Sequence, residues 1–176
     1  MVVTDDKKLA EHAQWLMNFC FDNERRYYHK EIGFKYPMTN IQAAIGLAQL
    51  EYVEETIKRK REIAHTYNKL LKKIDGITLP YESPDVRNIY WMYGILIEDD
   101  FGISRDKVKE LLFKKGIDTR YFFVGMHKQP PFKTNGEFEV SEALEKKGLY
   151  LPCGTGIKQG QLEYVAQCLE DIHERH

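Results

Sequence analysis

The chain has 176 residues, 43% of them hydrophobic and 30% charged, with a formal net charge of −1. That length supports one good core or parts of two, and the balance is that of an ordinary soluble protein, with no global field to draw nucleic acid or a membrane. No apolar run is long enough to span a bilayer, no signal-peptide order opens the chain, and three unclustered cysteines (Cys20, Cys153, Cys168) argue against a disulfide framework or a zinc site and fit a reducing cytoplasm.

Residues 1–4 read as a short apolar strand closed by Asp5 and Asp6. Residues 6–20 read as a helix with Leu9, Ala13, Leu16, Met17 and Cys20 on one stripe. Residues 21–38 form a loop rich in charge and aromatics; its length without periodicity points to function or an interface. Thr39 or Asn40 can cap the next helix. From there, residues 40–74 keep helical apolar spacing through Leu47, Leu50, Val53, Ile57, Ile63, Tyr67, Leu70, Leu71 and Ile74. A single helix of that length would run about 50 Å, enough to join two domains. Gly76 ends it.

Within that helix, the basic run 58–61 reads as a solvated face paired with Glu51, Glu54, Glu55 and Glu62 at helical spacing. Beyond Gly76 the periodicity changes. Three strands are expected, at 77–79, 90–97 and 117–124. A helix follows Ser104 and ends at Gly116, marked by Val108, Leu111, Leu112 and Phe113. A proline-rich loop covers 125–136, a short helix 141–147, and a last helix 158–175 buries Leu162, Val165, Ala166, Leu169 and Ile172. The fold class is α/β, with a small α+β domain of three strands backed by helices.

The most informative stretch is Gly33-Phe-Lys-Tyr-Pro-Met-Thr-Asn-Ile-Gln-Ala-Ala-Ile-Gly-Leu-Ala-Gln-Leu50. It is a loop turning into a helix whose small residues Ala43, Ala44, Gly46 and Ala48 let another backbone come close. Its order resembles the Gly-x-Asn-Tyr-Arg-Met-Thr-Asn-x-Gln-Ala-Ala-x-Gly-x-x-Gln-Leu signature of the DegT/DnrJ/EryC1/StrS sugar aminotransferases. The resemblance continues in Arg120-Tyr-Phe-Phe-Val-Gly-Met-His127-Lys-Gln-Pro130 and Leu149-Tyr-Leu-Pro152. It covers essentially the whole chain and looks most like the perosamine synthase-like members.

The resemblance implies a fold-type-I enzyme dependent on pyridoxal phosphate, of the aspartate-aminotransferase fold, of which this chain is the C-terminal portion. Residues 1–38 would be the end of the large cofactor domain and an interface loop, 39–75 the long connecting helix, and 76–176 the small domain. The lysine that forms the Schiff base with the cofactor would lie upstream, so no catalytic residue is assigned here and the isolated chain is expected to be inactive. The implied reaction passes an amino group, with glutamate as donor, to a keto-sugar nucleotide in cell-surface polysaccharide biosynthesis. GDP-4-keto-6-deoxymannose is the leading sugar. A cytoplasmic homodimer, in which one subunit completes the other's phosphate site, is implied with it. The alternatives are a non-catalytic oligomerising or interaction fragment and a half-enzyme complemented by a separate chain.

Site residues follow position by position. The family's phosphate-binding Asn falls on Lys35, beside Tyr36, and a lysine can bind phosphate as a point charge; the other reading is an exposed loop lysine. The family's Arg is Pro37 here, which removes a donor. His127 matches a family His at the substrate end of the cleft, and Arg120 can reach an anionic nucleotide-sugar group or pair with an acid. Arg25, Arg26, Tyr27, Tyr28 and His29 form a basic-aromatic loop suited to stacking on a sugar or nucleobase or, equally, to packing on a second subunit. Arg26 and His29 are its candidate substrate contacts. No metal site is expected.

Overall fold

A computed structural model of the chain describes residues 2–22, 24–25 and 27–176. It contains two compact units, Met1–Tyr52 and Val53–His176.

The first unit holds two helices and a loop that folds back on the first of them. Helix α1 (Lys7–Met17) starts at Asp6, whose carboxylate accepts the free amides of Lys8 (2.8 Å) and Leu9 (3.2 Å). The chain then doubles back on α1: Phe34 N donates to Leu16 O (2.7 Å), Tyr36 N to Met17 O (3.1 Å) and Phe19 N to Phe34 O (3.0 Å). Gly33 makes this return possible. A Cβ there would sit 2.4 Å from the carbonyl carbon of Phe19. Helix α2 (Asn40–Glu51) opens with a capping box, in which Thr39 Oγ1 accepts Gln42 N and Gln42 Oε1 accepts Thr39 N. Thr39, rather than Asn40, is therefore the cap.

Three expectations fail in this unit. Residues 2–4 form no strand; Val2 and Val3 are exposed, with no ladder beside them to pair with. The α1 stripe is not a core face, since Leu9 and Met17 are exposed and only Cys20 is fully buried among the described residues of the unit. The 40–74 stretch is two helices, because α2 ends at Glu51 and Tyr52 leaves the helical region (φ −105°, ψ 7°). Tyr and Val at 52–53 have low helix propensity, and a one-residue break leaves the apolar spacing of the two segments in step.

The second unit is built on α3 (Val53–Leu71) and a four-stranded antiparallel sheet in the order β1-β2-β4-β3. The strands are β1 (Ile77–Thr78), β2 (Tyr93–Ile97), β3 (Arg120–Tyr121) and β4 (Gly148–Leu151). Three strands are expected from the sequence; the fourth, β4, lies in the interior, paired with β2 (Ile95 opposite Leu149) and with β3 (Arg120 opposite Tyr150). It was hidden because four residues directly after a helix show no alternation. The other strands are shorter than expected, and Ile117 instead closes the end of a helix through its amide to Leu112 O (3.0 Å).

Three helices cover one face of the sheet: α3, α4 (Arg105–Lys114) and α6 (Gln159–His173). α5 (Glu139–Lys147) packs on β2 and β4. Tyr93, Ile95 and Ile97 of β2 point into the core with Leu149 and Leu151 of β4. Against them pack Ile63, Ala64, Tyr67 and Leu71 of α3, Val108 and Leu112 of α4, and the five expected positions of α6. The apolar core thus recruits α3, so the small unit starts at Val53 and not after Gly76. Phe113, by contrast, is exposed.

The basic run does structural work in place of the expected helical pairing. Arg59 donates to Thr155 O and Ile157 O (3.2 and 2.5 Å), and Lys60 to Cys153 O (2.7 Å). Arg61 pairs with Glu82 (2.5 Å) and donates to Asn88 O (2.6 Å). That guanidinium, helped by Asn88 N and the Tyr90 hydroxyl, holds the Glu82 carboxyl down at about 2. Only Arg59–Glu62 pairs within the helix as expected (3.4 Å).

Two glycines separate conformation from space. Gly76 (φ +72°) and Gly116 (φ +77°) both take the left-handed region. A Cβ at Gly76 would lie 2.1 Å from Phe101 N, whereas none of the structure lies within 4 Å of one at Gly116. Gly116→Ala should cost about 1–2 kcal/mol for its backbone alone. Gly76→Ala should cost several kcal/mol, because backbone cannot swing away. Urea unfolding of the two variants checks this; equal losses would contradict it.

Candidate functional site

The candidate residues fall on two surfaces, one in each unit. In the first, Lys35 and Tyr36 stand exposed on the loop that returns over α1. Lys35 Nζ lies 5.3 Å from the centre of the Phe19 ring, and Tyr36 stacks on Phe34 (5.5 Å, 14°). His29 is tied to the same turn, with Nδ1 2.6 Å from Phe19 O and its ring 4.8 Å from that of Phe21. Arg26 lies outside the described residues. Its neighbour Arg25 lies over the Tyr28 ring (5.2 Å).

The turn is strained: Phe19 (φ +61°) and Cys20 (φ +52°) are consecutive non-glycine residues in the left-handed region. Such strain persists only where surroundings over-determine it. Here the Gly33 backbone, pressed against Phe19 and Cys20, does so. Asp22 ties the next turn, accepting from Glu24 N and Arg25 N (2.9 Å each) and pairing with Lys30. The Lys30 ammonium first, then these amides, hold its carboxyl down at about 2.

In the second unit, His127 sits in a short 3-10 turn after β3, with a side chain only 10% exposed. Its Nε2 lies 3.2 Å from Glu142 Oε1, and its ring stacks on Phe138 (4.3 Å, 16°). The other edge of the ring passes Gly125, where a Cβ would come 2.4 Å from His127 Cε1. Gly125 N in turn donates to Glu145 Oε2 (3.2 Å), which also meets Lys128 (3.1 Å). α5 thus supplies a clamp of Glu142 and Glu145 around the turn. Sequence spacing shows α5, but not that its acids reach back to His127.

Arg120 is exposed at the edge strand β3, and no carboxylate pairs with it among the described residues. It lines a cleft of about 250 Å³ with Met92, Asp118, Thr119, Tyr150 and Cys153. Thr119 is buried and its Oγ1 has no partner among the described residues, which costs about 1–3 kcal/mol if no other donor or acceptor meets it. The sequence holds no signal for this orphan hydroxyl. No group of three or more His, Cys, Asp or Glu is gathered to hold a metal ion among the described residues.

The DegT/DnrJ/EryC1/StrS aminotransferase family matches residues 1–170. The chain belongs to this family. Among its relatives, the GDP-perosamine synthase of Caulobacter vibrioides is 33% identical over 175 residues, covering 98% of this chain and 47% of that protein. The GDP-perosamine synthase of Escherichia coli O157:H7 is 34% identical over 174 residues, with the same 98% and 47% shares. The chain spans about half the length of the curated relatives it matches.

Among solved structures, DesI in the presence of its TDP-sugar product superposes with a TM-score of 0.85 at 30% identity, over 98% of this chain and 45% of that one. The aminotransferase TlmJ from Streptoalloteichus hindustanus reaches the same TM-score at 23% identity, over 97% and 46%, which shows the shared fold. Pyridoxal phosphate is the cofactor of this family. The exposed cation of Lys35 and the phenol of Tyr36 are donors that fit its phosphate.

The His127 clamp makes a direct prediction. Gly125→Ala should force the imidazole off Glu142 and Phe138 and lower stability by about 1–3 kcal/mol. In a His127→Ala background the same substitution should be close to neutral. A double-mutant cycle by thermal or urea unfolding measures the coupling; strictly additive losses would show that the ring does not press on Gly125.

Proposed function

We propose that this chain forms the C-terminal half of a sugar-nucleotide aminotransferase. The enzyme moves an amino group from glutamate to a keto-sugar nucleotide, GDP-4-keto-6-deoxymannose, in cell-surface polysaccharide biosynthesis. The observation that carries the reading is the 33–34% identity to GDP-perosamine synthases across 98% of the chain. Pyridoxal phosphate, when bound, supplies the carrier on which the amino group is held and passed on. Lys35 and Tyr36 hold its phosphate.

His127 and Arg120 of the second unit face the sugar nucleotide; Arg26, outside the described residues, and His29 of the first unit are separate candidate contacts. In that role the clamp has a purpose: a ring held on three sides keeps a single orientation beside the substrate. The enzyme works in the cytoplasm as a homodimer, with residues 21–38 and the start of α2 at the boundary between copies. A second reading, an oligomerising module without catalysis of its own, has one observation in its favour. Helix α2 is apolar and has no buried residue, with Ile41, Ile45, Leu47 and Leu50 all at least 60% exposed.

The test joins this chain to the other half of the Caulobacter vibrioides relative and assays amination of the keto sugar with glutamate. Turnover is expected, with His127→Ala lowering kcat/KM for the sugar nucleotide at least tenfold while cofactor affinity holds. A soluble, cofactor-loaded chimera without turnover would favour the second reading. Loss of cofactor with unchanged sugar kinetics would move His127 away from the sugar.

A further inference from the structure

Lys60 is the one member of the basic run whose ammonium meets no carboxylate among the described residues while lying partly buried. It is held instead by the carbonyl of Cys153 at 2.7 Å, and this brings its Nζ to 3.4 Å from Cys153 Sγ. At that separation the ammonium donates a long hydrogen bond to the sulfur, which keeps the lysine nitrogen beside a nucleophilic atom. The approach is fixed from both sides. Lys60 is carried by α3, whose next turn buries Ile63, Ala64 and Tyr67 in the core. Cys153 follows Pro152, whose carbonyl accepts the buried Tyr67 hydroxyl (2.8 Å), and Arg59 grips Thr155 O and Ile157 O just beyond.

The sulfur is also reachable. Cys153 is half-buried and lines the open cleft at the end of the sheet, whose volume of about 250 Å³ has room for roughly eight waters. A peroxide molecule, little larger than water, can enter it. The other two cysteines, Cys20 and Cys168, are buried, and no lysine amine hydrogen-bonds either of them among the described residues.

We propose that Lys60 and Cys153 form an oxidant-driven covalent bridge, a nitrogen–sulfur (sulfenamide) bond made at the expense of hydrogen peroxide. In the first step the Cys153 thiolate attacks one peroxide oxygen. The O–O bond breaks, a sulfenic acid forms, and the departing hydroxide takes a proton from the Lys60 ammonium to leave as water. In the second step the neutral Nζ attacks Sγ, the S–O bond breaks, and the hydroxyl leaves with a proton of the amine as a second water. The sulfur is oxidised by two electrons and one peroxide is reduced to two waters. Excess thiol reverses the bridge, returning amine and thiol while two thiol molecules become a disulfide. The amine next to the sulfur also diverts the sulfenic acid from over-oxidation to the sulfinic state. The bridge fastens α3 to the segment after β4, independently of any cofactor or sugar.

The experiment treats the whole chain with hydrogen peroxide and analyses proteolytic peptides by mass spectrometry, with and without later dithiothreitol. The peptide carrying Lys60 should appear joined to the one carrying Cys153, two hydrogens lighter than their sum, and should separate on reduction. Lys60→Arg keeps the positive charge and the carbonyl contact but removes the amine. In that variant no joined peptide should form, and dimedone should trap Cys153 sulfenic acid at least tenfold more than in the unsubstituted chain. Equal dimedone trapping in both proteins, without a joined peptide, would overturn the proposal. So would a joined peptide one oxygen heavier than this bridge, which would mean an N–O–S linkage, or a bridge to a lysine other than Lys60.

Discussion

The stack of Tyr67 on Tyr93 is the contact on which the second unit depends. Both rings are fully buried, 4.8 Å apart and 27° from parallel. An aromatic pair contributes roughly 0.5–1.5 kcal/mol beyond the area it buries, but its larger effect here is placement. Each phenol must find a partner when buried, and each does so on a different element. Tyr67 reaches from α3 to Pro152 O, just past β4 (2.8 Å), and Tyr93 reaches from β2 back to Asn68 Oδ1 on α3 (2.6 Å). Burial pushes both hydroxyls well above the usual phenol range, so they stay protonated donors. Helix, middle strands and the exit of β4 are thereby locked in one register.

The sites inherit that rigidity. β4 carries Tyr150 opposite Arg120 and runs straight on from α5, the helix that clamps His127. Gly94 and Gly148 lie against the Phe122 ring, where a Cβ on either would come within 2.6 Å of it, and Phe122 stacks on Tyr150 (4.3 Å). The turn at His127 is therefore pinned to the sheet at one end and to α5 at the other. The loop of the first unit is held differently. Its order comes from backbone hydrogen bonds and a strained turn around Cys20, with little apolar burial.

Much of this was legible in the sequence because periodicity is local. The helices at 105–114 and 159–173 follow their apolar spacing, and the Thr39 cap and the glycine stop at 116 follow from backbone chemistry, whereas α3 ends at Leu71 and Gly76 lies in the turn beyond it. The long resemblance to the aminotransferase family survives comparison with known relatives. What was not legible is long-range. β4 is too short to alternate, the break at Tyr52 carries no glycine or proline, and the loops held by Arg59, Lys60 and Arg61 are distant in sequence. The same holds for the site: His127 stood out as a residue type in a motif, whereas Glu142, Phe138 and the orphan hydroxyl of Thr119 needed the fold.

That α3 belongs to the small unit and is fastened there by Tyr67 is the central structural claim, and native-state hydrogen exchange tests it most directly. The amides of residues 63–71 in α3 should exchange at the same slow rate as those of Tyr93–Ile97 and Gly148–Leu151, since all open only with global unfolding. Tyr67→Ala should accelerate all three segments together. If residues 63–71 instead exchanged fast, in step with α2 and apart from the sheet, the helix would not be part of this core and the account would be contradicted.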